Sequence, residues 1–270
     1  MSPASPLYHV DAFSSEVFGG NPAAVVPLED WPDDALLQKI AAENNLSETA
    51  FLVGRGERYR IRWFTPVREV ELCGHATLAS AFVITRFLAE GAETLRFDSL
   101  SGELVVRRDG DMLELDFPAR PAGPADERLA ADMAGALGAS AHWCGSTRNP
   151  DPDSDKLIAR FEDAEAVRKL EPDFAALRQL PGQGVIVTAE GTDCDFVSRY
   201  FVPKLGIPED PVTGSAHCTL VPFWSEKLGR TELQARQVSP RGGELRCRLA
   251  GDRVRIAGHC ALYLEGRLAL

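Results

Sequence analysis

Two stretches of this chain read as the buried centres of a fold. Residues 72–85, Leu-Cys-Gly-His-Ala-Thr-Leu-Ala-Ser-Ala-Phe-Val-Ile-Thr, carry no charge while His75 is neutral, and residues 211–224, Pro-Val-Thr-Gly-Ser-Ala-His-Cys-Thr-Leu-Val-Pro-Phe-Trp, carry none either. A helix that is uncharged all round has to be covered on every side. Both runs stop short of the ~20 residues that cross a bilayer, so the cover is expected to be protein. The small residues Gly74, Ala76, Ala79, Ser80 and Ala81 let surrounding strands approach the first helix closely. The second is expected to bend at Pro222. The runs also match each other: each follows a carboxylate, Glu71-Leu72 or Asp210, and Cys73-Gly74-His75-Ala76 stands against Thr213-Gly214-Ser215-Ala216. This pattern predicts an α+β fold of two pseudo-symmetric lobes, each a roll of strands around one central helix.

Strand signals supply the rolls. Tyr8–Phe13 alternates, Phe18-Gly-Gly-Asn-Pro22 is a turn, and Ala23–Val26 is a second strand. Pro32 with Asp33 and Asp34 opens a helix that stops at Asn44-Asn45. Further strands are expected at 49–53, 59–64, 95–97, 103–107, 112–117, 156–161, 184–189, 195–201, 234–239, 244–249 and 253–256, with a helix over 126–137. The three prolines within 118–125 mark an interlobe linker. The lobes are therefore expected at 1–118 and 119–260, with a C-terminal strand from about residue 260 returning to the first.

Charge narrows the partners. A formal net charge of -11 and a pI of about 5.0 repel polyphosphate and anionic membrane, which disfavours nucleic acid and lipid surfaces. The first basic residue is Lys39, so no secretory n-region is visible, and the six cysteines form no C-x-x-C pair. These features predict a cytoplasmic protein without a disulfide frame.

A helix N-terminus offers unpaired N–H groups and about half a positive charge, enough to hold an anion without lysine. Gly74 and Gly214 open the two central helices, either as such anion sites or as close-packing residues. Glu48 heads a strand on the same face as Ala50 and Leu52. It is either an inward carboxylate whose pKa burial raises into proton-shuttle range, or a solvated strand end. His75 and Asp210 are the other acid–base candidates near the helix starts; Asp210 could stabilise a protonated His75 or serve as a helix-start carboxylate. Ser215 caps or binds ligand. Cys73 would feel the helix field, which lowers a thiol pKa, although most buried cysteines are inert. His217-Cys218 lies deeper and reads as core. Cys73 and His75 are two apart with no second pair at ligand spacing, so no metal site is expected. Phosphate-loop, dinucleotide and Gly-x-Ser-x-Gly signatures are absent, which predicts a reaction without a cofactor.

The chain also resembles the PhzF-like family of phenazine-biosynthesis proteins, which share the diaminopimelate epimerase fold. The segments that carry the resemblance are Val10-Asp-Ala-Phe13, Phe18-Gly-Gly-Asn-Pro22, Asn45-Leu-Ser-Glu-Thr-Ala50, Glu71-Leu-Cys-Gly-His-Ala-Thr77, Leu115-Asp-Phe-Pro118, Ser198-Arg-Tyr-Phe201 and Glu209-Asp-Pro-Val-Thr-Gly-Ser-Ala-His217. The resemblance implies an isomerase with its site between two lobes, Glu48 as acid–base group, and His75, Asp210 and Ser215 in support. It also implies a small carboxylate substrate and a homodimer. Asn21, Cys73, Gly74, Gly214 and Ser215 are the candidate substrate-binding residues. Related racemases use two opposed thiols; here Cys73 occupies the first place and Thr213 the second, which favours one-base chemistry through Glu48.

Overall fold

The alternating run at the N-terminus forms the strand it predicts. In a computed structural model, which describes residues 5–269, β1 spans Ser5–Ala12 and pairs antiparallel with β2 (Asn21–Leu28) and with the C-terminal strand Cys260–Leu268. The chain divides into two units, one holding the residues up to Asp116 together with those from Ala257 onward, the other Phe117–Ile256.

In the first unit β2 runs parallel to β3 (Glu48–Arg55), and the crossover this requires is α1 (Asp34–Asn44). Asn45 closes α1 in the left-handed conformation, φ 49°. β3 pairs antiparallel with β4 (Arg58–Phe64), which is flanked by the two-residue β5 (Glu69–Val70) and, in parallel, by β6 (Thr94–Ser99). β7 (Gly102–Asp109) and β8 (Met112–Pro118) follow as antiparallel neighbours. The central helix α2 spans Gly74–Val83, and His75 to Ala81 and Val83 are all buried. Its hydroxyls solve their own burial: Thr77 donates to Cys73 O at 2.6 Å and Ser80 to Ala76 O at 2.7 Å. On the other side of the strands, Leu37, Ile40 and Ala41 of α1 pack against Val26, Phe51 and Phe64.

The second unit repeats this order. β9 (Gly123–Pro124) is followed by α3 (Glu127–Leu137), whose N-cap Asp126 accepts from Leu129 N at 2.8 Å. β10 (Trp143–Ser146) pairs antiparallel with β9 and with β11 (Lys156–Arg160). β11 runs parallel to β12 (Gly184–Glu190) through a crossover holding α4 (Ala164–Arg168) and α5 (Phe174–Leu177). β12 pairs antiparallel with β13 (Phe196–Phe201), which is flanked by the two-residue β14 (Glu209–Asp210) and, in parallel, by β15 (Glu232–Gln237). The central helix is α6 (Gly214–Leu228); β16 (Gly243–Ala250) and β17 (Arg253–Gly258) complete the series. The duplication expected from two uncharged helices is therefore a duplication of strand pairing as well.

It extends to one side-chain device absent from the sequence reading. Arg62 on β4 makes a bidentate pair with Glu69 on β5, both bonds 2.7 Å, with its guanidinium 5.1 Å from the Phe64 ring centre. Arg199 on β13 does the same with Glu209 on β14 at 2.8 and 2.9 Å, 4.8 Å from Phe201. Each clamp fixes the two-residue strand that leads into a central helix.

Two expectations need correction. α6 does not stop with the uncharged run at Trp224 but continues past Pro222 to Leu228. Proline removes the N–H that Cys218 O would have accepted; Arg120 N donates to that carbonyl instead, at 2.8 Å. Nor is 118–125 a free linker: Ala119 N donates to Asp252 O, Arg120 N to Cys218 O and Ala125 N to Cys144 O. Its prolines offer no N–H, yet these three of its remaining backbone donors are used. Among the described residues no helix is long and apolar enough to cross a membrane.

Candidate active site

The turn before β2 begins the first cluster. Phe18 N donates to the buried Asp11 carboxylate at 2.8 Å, and Gly20 has φ +61°. A Cβ on Gly20 would lie 2.1 Å from Ala12 O, so only glycine lets the chain turn here. The turn delivers Asn21, fully buried, to the first position of β2. Because β3 is parallel to β2, its first residue, Glu48, falls beside Ala23 at the same end. The Glu48 side chain is 19% exposed, so it is drawn inward, on the face that Ala50 and Leu52 also bury.

The start of α2 meets these strand ends. His75 Nε2 lies 3.2 Å from Glu48 Oε2. On the other side of the ring, Nδ1 is 3.2 Å from Asn21 Nδ2 and 3.5 Å from Cys73 Sγ. Cys73 is the N-cap of α2 and makes no side-chain cap bond. The first unit thus brings Asn21, Glu48, Cys73, Gly74 and His75 together.

Electrostatics assigns them different states. Burial penalises a charged His75 ring, but the Cys73 sulfur and the Glu48 carboxylate outweigh it and hold the imidazole well above its ordinary value. Cys73 moves the opposite way from the expectation of a helix-activated thiol. Burial, then the Glu48 charge, push it up to about 11, and His75 only partly offsets this. Desolvation of a thiol at 6% exposure exceeds the effect of the helix terminus, so Cys73 keeps its proton at neutral pH. His217, the other helix histidine, is a control within the same chain. Fully buried without a carboxylate, it is pushed down to about 4 and donates from Nδ1 to Thr213 O at 2.8 Å. It is the neutral core residue its position suggested.

The second unit builds its helix start differently. The Asp210 carboxylate accepts from the Thr213 hydroxyl, while Gln237 spans the link to α6. Gln237 Oε1 accepts from Thr213 N at 2.8 Å, and its Nε2 donates to Asp210 O at 2.7 Å. Ser239 adds a 2.8 Å bond to Pro211 O. Thr213, the counterpart of Cys73 at the start of α6, orients a carboxylate. Gly214 opens α6, and the half-buried Ser215 hydroxyl has no hydrogen bond to any described residue. Asp210, Gly214 and Ser215 therefore group as the sequence suggested, but Gln237 was missed. Its signal was available: Leu233, Ala235 and Gln237 share one face of β15, so a polar side chain stands in an inward row.

Comparison with known proteins agrees with this architecture. A family model described as phenazine biosynthesis-like protein (PhzC-PhzF) matches residues 10–266. An uncharacterized isomerase of Pseudomonas aeruginosa is 53% identical, covering 98% of this chain and 98% of its own. The crystal structure of a PhzF-family phenazine biosynthesis protein from Enterococcus faecalis is similar at a TM-score of 0.90 and 48% identity, covering 99% of this chain and all of that one. A probable proline racemase from Agrobacterium radiobacter, 9% identical with a TM-score of 0.61, covers 98% of this chain and 93% of its own and shares the fold alone.

Proposed function

Because the chain belongs to the PhzC-PhzF phenazine biosynthesis-like family, we propose that it is an isomerase that moves a proton on a small carboxylate substrate, with Glu48 as acid–base group and no cofactor. The observation that carries this reading is the Glu48–His75 pair, 3.2 Å apart and largely shielded from water. In the proposed reaction Glu48 takes a proton from a substrate carbon, and the electron pair left behind moves along the conjugated acid. Glu48 then returns the proton at another carbon, so atoms and charge balance without a redox partner. The His75 imidazolium remains beside the reacting region and stabilises the negative charge that develops there. The N–H groups at the start of α2 hold the substrate carboxylate, and Gly74 lets it approach the backbone. Asn21 positions the His75 ring, with its amide turned so that Oδ1 accepts from the Nδ1–H of the imidazolium.

In the second unit the same proposal assigns substrate binding to Gly214 and Ser215 and acid–base support to Asp210, held in place by Thr213 and Gln237. Two-thiol racemisation is disfavoured, because Cys73 keeps its proton and Thr213 presents a hydroxyl already donated to Asp210.

The test is proton exchange. The protein is incubated in heavy water with a panel of small unsaturated carboxylates, and deuterium incorporation is read by mass spectrometry. Glu48→Gln, nearly isosteric, should retain the native circular dichroism and melting profile but lose exchange and turnover. Undiminished exchange in that variant would remove Glu48 from the mechanism.

A further inference from the structure

We propose that Glu48, Cys73 and His75 form a binding site for a soft divalent cation, Zn2+ above all, whose occupancy shuts off proton transfer. The binding site rests on geometry; only its inhibitory consequence rests on the function proposed for Glu48. One ligand-type atom from each of the three residues lies within 4.8 Å of the other two. The sequence offered only two of them, Cys73 and His75, and strand pairing supplies the third from β3.

The distances suit a tetrahedral ion. Zinc bonds of about 2.3 Å to sulfur and about 2.0–2.1 Å to nitrogen place two donors roughly 3.5 Å apart. Cys73 Sγ and His75 Nδ1 are 3.5 Å apart. Glu48 Oε2 stands 3.2 Å from the other ring nitrogen, Nε2, so its carboxylate has to swing towards the Nδ1 side to complete three ligands. It stands on the first residue of its strand and is not enclosed, at 19% exposure. Three protein ligands leave a fourth position for water.

The donor set also selects the metal. Thiolate and imidazole favour zinc over magnesium or calcium, which take oxygen ligands. The positive end of α2 opposes a cation at this place. A thiolate and a carboxylate together balance the two charges of the ion, and the thiol proton and the Nδ1 proton of the imidazolium both leave to solvent as the metal bonds form. With the metal bound, the Glu48 oxygen pair is no longer available to accept a proton from carbon.

Cobalt(II) provides a spectroscopic stand-in for zinc. Titration of the folded, metal-free protein with Co2+ should produce a sulfur-to-metal charge-transfer band saturating at one equivalent, which Zn2+ then bleaches. Cys73→Ser should abolish the band, and Glu48→Gln should weaken Co2+ binding at least tenfold. Cys144, Cys194 and Cys260 are also free and partly accessible. A band that survives Cys73→Ser therefore assigns the metal elsewhere and overturns the proposal, as does the absence of any band. Should Cys73→Ser fail to fold, cobalt X-ray absorption of the unsubstituted protein decides, since a first shell without sulfur refutes the site. The two readings separate cleanly. Absence of any band from the unsubstituted protein, with exchange intact when it is metal-free, sinks the metal site alone. A normal band with undiminished exchange in Glu48→Gln sinks the role of Glu48 instead.

Discussion

Arg199→Met is expected to be among the most damaging single changes outside the candidate site. All three guanidinium nitrogens are engaged: Nε and Nη2 on Glu209, at 2.8 and 2.9 Å, and Nη1 on Val167 O, Arg168 O and Leu170 O at 3.2, 3.2 and 2.9 Å. The two side chains are only 12% and 13% exposed. Removing one member of a shielded pair leaves the other charge without compensation, which costs about 3–5 kcal/mol. At about 2–4 °C per kcal/mol for a chain of this size, the melting temperature should fall by roughly 6–20 °C. Adding Glu209→Gln to Arg199→Met removes the stranded carboxylate and should recover part of the loss, a non-additivity a double-mutant cycle measures directly. The equivalent clamp in the first unit is wetter, with Arg62 and Glu69 at 22% and 25% exposure. Arg62→Met should therefore cost less, about 1.5–3 kcal/mol. The assay is calorimetry supported by urea unfolding of the parent, Arg199→Met, Glu209→Gln, their double variant and Arg62→Met. If Arg199→Met melts within about 2 °C of the parent, or if Arg62→Met is the more harmful, the reasoning from burial is wrong.

Three further outcomes are expected. His75 should carry a proton at neutral pH by NMR and lose it at lower pH in Glu48→Gln. Because its folded pKa is raised, its stabilising contribution is complete below the unfolded value of about 6.5 and disappears as pH rises through the folded one. His217 acts with the opposite sign: pushed down to about 4, it should make stability fall by up to about 1.4 kcal/mol per pH unit as pH drops below about 6.5, and His217→Gln should flatten that slope in acid unfolding curves. Cys73, pushed up to about 11 and buried, should resist iodoacetamide at neutral pH in peptide mass spectrometry, and rapid neutral alkylation would contradict its assigned state.

Much of the site's cast was visible in the linear chain, while its contacts were not. Period alone set Glu48 on the face of Ala50 and Leu52 and left open whether it was inward or solvated; its side chain is 19% exposed. The clamps were hidden because Arg-Trp-Phe64 and Arg-Tyr-Phe201 look like ordinary strand ends until a two-residue strand carries Glu69 or Glu209 beside them. The Cys73 thiol follows the inert reading rather than the helix-field one, because a helix terminus is a local feature, whereas the burial that overrides it comes from the residues packed around α2.

Uncharged runs at 72–85 and 211–224 are enough to demand two covered helices, since an absence of charge acts residue by residue and needs no knowledge of neighbours. The turn glycines and the α1 boundary follow from local backbone sterics in the same way. Only the assembled strands decide that Asn21 meets His75 across 54 residues, or that Glu48 meets it from β3. Such encounters depend on parallel pairing and register, which are set by the packing of whole elements and leave no period in the chain.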